Sequence, residues 1–119
     1  MHDYRKLRVY DEAVQIAEST YAVTRALPRT ERFGLVDQLN RASVSISVNI
    51  AEGAGRGDRA DFARFLRIAR GSAAEVNTLT LVAHRLGYVD TATATHLCGL
   101  VEAVKAGLTN LERSIKKSG

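Results

Sequence analysis

Apolar and small residues return at Val9, Ala13, Ile16, Thr20, Val23 and Leu27, with spacings that alternate between four and three. That is the repeat of one face of an α-helix, and it predicts a first helix over 9–27 that Pro28 stops, because proline lacks a backbone N–H and clashes with a helix interior. Thr30 is placed to cap a second helix over 31–52, and Gly53 to end it. Asp58 is placed to cap a third helix over 59–86, with Asp61 positioned as the acidic partner of a capping box and Gly87 as the stop. From Asp90 or Thr91 a fourth helix over 91–117 carries Leu97, Val101, Val104, Leu108, Leu111 and Ile115 in a strict heptad pattern. Short connections between long helices predict an all-α fold, an antiparallel up-down-up-down four-helix bundle forming one domain over residues 1–119.

Two helices carry more apolar surface than a bundle core needs. In the second, Leu35, Leu39, Ala42, Ile46 and Ile50 share one face, while Val44, Val48 and Ala51, joined loosely by Val36, gather almost opposite. The third places Ile68, Ser72, Glu75, Leu79 and Leu86 beside a main face of Phe62, Phe65, Leu66, Ala69, Ala73, Val76 and Ala83. A helix with two apolar faces has two things to bury against, so the pattern predicts a homo-oligomer, the alternative being a wider core. Between the faces of the second helix runs a narrow polar stripe: Gln38, Arg41, Ser45, Asn49 and Glu52. With Ser72 and Glu75 on the third helix, Arg41, Ser45, Asn49 and Glu52 are expected to form a structural polar network or a subunit contact.

Composition adds limits. Of the 119 residues 45% are hydrophobic and 25% charged, the balance of a globular protein. No apolar run approaches the roughly 18 residues that cross a bilayer. The start "MHDYRKLRVYDEA" has no apolar core of a secretion signal, and the single Cys98 has no partner for an internal disulfide, so a cytoplasmic protein is expected.

Charge brings in the candidate chemistry. The formal net charge is +4 with a pI of about 9.6. Arginine supplies thirteen of the 17 cationic residues, and its planar fork suits phosphate. Arg56, Arg59, Arg64 and Arg67, followed by Arg70, cluster at the start of the third helix; Arg5, Lys6 and Arg8 form a second group, and Arg25, Arg29 and Arg32 a third. Arg56, Arg59, Arg64 and Arg67 are therefore the candidate nucleic-acid-binding residues, reading phosphate backbones rather than bases. With no Trp, a platform for stacking single-stranded bases is not indicated.

The stretch "GAGRGDR", residues 53–59, resembles a phosphate loop only in its glycines. It has no preceding strand and no Gly-Lys-Ser/Thr ending, so no nucleotide cofactor is expected. Glu52 and Glu75 fit the polar stripe better than a pair of acid-base catalysts. His2, His84 and His96 have no ligand spacing, and Cys98, two residues after His96, faces away from it on a helix. No catalytic residue, metal or cofactor is expected, and the protein is not expected to be an enzyme.

The segments "YRKLRVYDEAVQIA", "LVDQLNRASVSISVNIAEGAGRG", "FARFLRIARGSAAE" and "HRLGYVD" resemble the four-helix-bundle proteins encoded in intervening sequences of bacterial large-subunit ribosomal RNA genes. The likeness spans residues 4–90 and is carried by Arg41, Ala42, Ser45, Asn49, Ile50, Ala51, Glu52 and Gly53 with Gly71, Ser72 and Glu75; the fourth helix matches only in its pattern. The resemblance implies a ring, a homopentamer, in which Arg41, Asn49, Glu52, Ser72 and Glu75 serve helix packing or subunit contact. Accessory proteins of diversity-generating retroelements are similar in fold and more distant in sequence, and they bind nucleic acid and a reverse transcriptase through a basic surface. The sequence as a whole is read as a non-enzymatic oligomer that binds structured RNA, or DNA, through Arg-rich surfaces. The alternative is a scaffold or accessory subunit that engages a partner protein without touching nucleic acid.

Overall fold

A computed structural model describes residues 3–117, apart from the side chain of Lys6; His2 lies outside the described residues. The chain is all-α. A 3-10 turn at Tyr4–Lys6 leads into α1, Arg8–Thr24, and a second 3-10 turn at Arg29–Glu31 precedes α2, Leu35–Gly55. Then come α3, Arg59–Arg85, and α4, Thr91–Lys117, and no strand occurs among the described residues. The four helices pack into a bundle about one core, with extents of 48 × 23 × 19 Å.

The core is what the periodicity predicts. Ile16 of α1, Leu39, Ile46 and Ile50 of α2, Leu66 and Val76 of α3, and Leu97, Val101 and Leu108 of α4 are essentially inaccessible to solvent. Removing a side chain of this size from water stabilises the fold by about 1.5–3 kcal/mol each. Of the extra apolar positions, Val36 and Leu79 pack against this core, while Val44, Val48, Ile68 and Leu86 stay exposed.

The helix ends depart from expectation in three places. α1 stops at Thr24, short of 27; the proline restriction acts on Leu27, the residue before it, and the chain leaves the α-helix ahead of that point. Its final turn tightens, with the N–H groups of Ala26 and Leu27 donating to carbonyls three residues back, and the Thr24 hydroxyl donates to Asn40 Oδ1 at 2.8 Å. α2 begins at Leu35 rather than 31: residues 29–31 turn separately, and the Glu31 carboxylate, rather than Thr30, accepts from the Leu35 N–H at 3.4 Å. At its other end α2 continues through Gly53 to Gly55, and the left-handed residue in this corner is Gly57, at φ +76°.

Gly53 has a different task. A Cβ placed there would lie 2.7 Å from Phe65 Cβ and 3.2 Å from Phe62 Cδ1, so the bare backbone is what lets α2 seat against the first turns of α3. Asp58 caps α3 by accepting from the Ala60 N–H, as its sequence position predicts. At the far end Gly87, at φ +83°, closes α3 with the N–H groups of Gly87 and Tyr88 donating to the His84 and Ala83 carbonyls, a Schellman arrangement. Asp90 then caps α4, accepting from the Thr93 N–H at 2.7 Å.

One substitution made at two sites separates these roles. Gly53→Ala is expected to destabilise the fold by about 1–3 kcal/mol through overpacking. Gly99→Ala, within α4 where an added Cβ meets nothing within 4 Å, is expected to stabilise it by about 0.5–1 kcal/mol through helix propensity. Urea denaturation of the two variants measures both signs.

Candidate nucleic-acid interface

The corner between α2 and α3 is built around Phe65. Its ring is largely buried, packed where Gly53 lets the helices meet, and two guanidinium groups lie over it: Arg56 at 5.0 Å from the ring centroid and Arg64 at 4.5 Å. Cation–π attraction of this kind contributes about 0.5–1 kcal/mol at exposed sites. Each arginine also has a carboxylate neighbour on its own chain segment, Glu52 at 3.5 Å from Arg56 and Asp61 at 3.7 Å from Arg64. The side chains of Arg56 and Arg64 are 45% and 52% exposed, so they are held in place yet open to solvent. Arg59, the first residue of α3, is exposed and forms no hydrogen bond or ion pair among the described residues.

The fourth candidate, Arg67, faces a different environment. It turns toward α4, where its Nη1 donates to Glu112 Oε2 at 2.9 Å; Arg70 Nη1 donates to Glu112 Oε1 at 2.9 Å, and Lys116 Nζ stands 3.0 Å from Oε2. The Glu112 side chain is only 9% exposed. Burial alone would raise its carboxyl, but hydrogen bonds from Lys116, Arg67 and Arg70 outweigh that and hold it at about 2. The structure thus brings Arg56 and Arg64 together on Phe65, and draws Arg67 into an α3–α4 clasp. Arg59, Ala60, Ala63, Arg67, Ile115 and Lys116 line a groove of about 470 Å³ between α3 and α4.

Sequence reasoning passes over Glu112, Lys116 and the ring of Phe65 as parts of this surface. A signal for Glu112 exists: it lies four residues after Leu108 and three before Ile115, so it is an acid on the core face of α4. The heptad pattern assigns that seam to Leu111, which is only half-buried, whereas Glu112 is buried.

The polar stripe divides as well. Ser45 and Ser72 share a hydrogen bond of 2.8 Å across the α2–α3 seam, and Asn49 Nδ2 donates to the carbonyl and hydroxyl of Ser45 at 2.8 and 2.9 Å. Glu52 turns instead to Arg56, since residues four apart on a helix are nearest neighbours. Arg41 and Glu75 are exposed and take no polar partner among the described residues.

The other chemistry considered is not assembled. No group of three His, Cys, Asp or Glu able to hold a metal occurs among the described residues. His84 Nδ1 lies 2.8 Å from the Val89 carbonyl, tying the end of α3 to the turn that follows, and burial followed by the Glu102 charge pushes the Cys98 thiol up. No helix is long and apolar enough to cross a membrane among the described residues.

The model of the family described as 23S rRNA-intervening sequence protein matches residues 5–110. Among curated proteins none matches. A solved structure from Bacteroides thetaiotaomicron, a protein with unknown function from the S23 ribosomal protein family, is similar in fold, with a TM-score of 0.82 at 23% identity over 87% of this chain and 97% of that one.

The clasp sets an acid limit. A carboxyl lowered from 4.5 to about 2 on folding contributes stability that is complete above 4.5 and fades as pH falls through about 2. Glu112→Gln is expected to cost about 2 kcal/mol at neutral pH, the scale of hydrogen bonds to a charged group. The difference from the parent should shrink steadily below pH 4.5. Urea titrations of both proteins from neutral pH to about pH 2 measure it.

Proposed function

The chain belongs to the 23S rRNA-intervening sequence protein family, and from that premise we propose that it is a non-enzymatic protein that binds structured RNA through the α2–α3 corner. The observation that carries the reading is the pair of guanidinium groups, Arg56 and Arg64, held over Phe65, with the unpaired Arg59 between them in the chain at the start of α3. Stacking orients both forks before a phosphate arrives, so less side-chain freedom is lost on binding. Their pairs with Glu52 and Asp61 are exposed, and such pairs contribute about 0–1 kcal/mol, little enough for a phosphate to displace. Arg67 shares the buried Glu112 with Arg70 and Lys116 on the α4 side, so Arg56, Arg59 and Arg64 carry most of the backbone contact.

In the same proposal the chain acts as one domain, its neighbouring helices run antiparallel, and copies assemble into a ring, of five by family resemblance. Exposed Val44, Val48 and Ile68 border the Ser45–Ser72 seam, where burial against another copy would remove their apolar surface from water. Arg41 and Glu75 on the same seam have no partner within the described chain and would find one across the contact. A ring repeats the basic corner once per subunit, and linked weak sites bind far more tightly together than singly.

Affinity for a structured RNA is expected to fall steeply as salt rises, because phosphate contacts release counterions. Changing Arg56, Arg59 and Arg64 together to Gln should reduce the slope of log affinity against log salt by about 3 per bound subunit. RNA affinity that is absent at low salt, or insensitive to salt, overturns the proposal. For assembly, light scattering should give the mass of about five chains of 13.0 kDa. Val48→Glu with Ile68→Glu should return a folded monomer, and a parent protein that is already monomeric rules out the ring.

A further inference from the structure

The α3–α4 groove gathers more cations than acids. Arg67, Arg70 and Lys116 all converge on Glu112, three cations on one carboxylate. Arg67 Nη1 and Lys116 Nζ share the same oxygen, Glu112 Oε2, so the two cationic nitrogens stand within about 6 Å of one another. Glu112 cannot neutralise all three, and Arg59, at the start of α3 on the lining of the same groove, has no acid at all. An anion entering between Arg59, Arg67 and Lys116 would balance this excess while the Glu112 contacts keep two of its three ligands in position.

The apolar part of the lining argues for more than a bare ion. Ala60 and Ala63 are too small to fill the space beside α4, and together with Ile115 and the three cations they line a groove of about 470 Å³. That lies in the range of small-molecule sites, about 300–1,000 Å³, and exceeds what a phosphate group alone would occupy. Cationic and apolar side chains lining one groove fit a ligand with a charged end and an apolar body.

We propose that this groove binds a single nucleotide unit, its phosphate on Arg59, Arg67 and Lys116 and its nucleoside against Ala60, Ala63 and Ile115. The inference rests on the RNA-binding reading above and deepens it: the corner arginines track the backbone, and the groove receives one unpaired nucleotide of the same strand. The groove would then distinguish RNA with an accessible unpaired residue from a continuous duplex, since only the former can place a base there.

The test uses the full chain with adenosine 5′-monophosphate as probe, followed by calorimetry and by amide chemical shifts. Saturable binding is expected, with shifts centred on Ala60, Ala63 and Lys116. Adenosine and inorganic phosphate should each bind about tenfold more weakly, as should the nucleotide to an Arg59→Gln, Lys116→Gln variant. Ala60→Leu alters an exposed helical position and fills the concavity without changing charge, so it should abolish nucleotide binding and leave the melting temperature in place. No saturable binding, phosphate matching the nucleotide, or an Ala60→Leu variant that still binds it would each overturn the groove assignment. Salt-dependent binding of a structured RNA, measured in parallel, separates the two readings. If it persists without a nucleotide site, only the groove assignment fails; if it is missing while the nucleotide still binds, the corner arginines are misassigned and the groove stands.

Discussion

The closest constraint in the fold is the meeting of α2 and α3 at Gly53, where a single methyl group would come within 2.7 Å of Phe65 Cβ. Everything at this end of the bundle inherits its position from that contact. Phe62 and Phe65 can be buried because α2 presents backbone rather than a side chain to them. Phe65, once fixed, becomes the surface on which Arg56 and Arg64 lie, so the placement of two exposed cations is a consequence of packing beneath them. Protein interiors are dense enough that a shift of this seam would be felt in the core positions that follow along α3.

Ion pairs then sort the arginines by burial. The same residue type plays two parts within fifteen positions: Arg67 and Arg70 stitch α3 to α4 through a carboxylate that is 9% exposed, while Arg56 and Arg64 meet carboxylates that are 54% and 39% exposed. Coulomb attraction is screened in the second setting and much less in the first. Net charge along the sequence cannot make that distinction. It depends on Glu112, more than forty positions away, arriving on the inner face of α4.

Fold class was legible from periodicity, since Leu39, Ile46, Leu66, Val76, Val101 and Leu108 occupy the interior their spacing predicts. Helix ends were less so. Gly53 reads as a terminator in one dimension and proves to be a packing device in three, and Glu31, unremarked among the caps, takes the acceptor role expected of Thr30. At the candidate interface the clustering of Arg56, Arg59, Arg64 and Arg67 was visible because it is local. Lys116 and Glu112 were not, because only tertiary packing brings the last turns of α4 beside the first turns of α3.

Glu31 has a further consequence at the other end of the molecule. One carboxylate oxygen accepts from the first N–H of α2 and the other from the hydroxyl of Tyr88, 57 positions later in the chain. The turn that follows α1 and the turn that follows α3 therefore share a single fastener. Releasing that side chain removes a support from both turns at once, which couples their opening by no more than the roughly 0.5–1.5 kcal/mol that one hydrogen bond contributes.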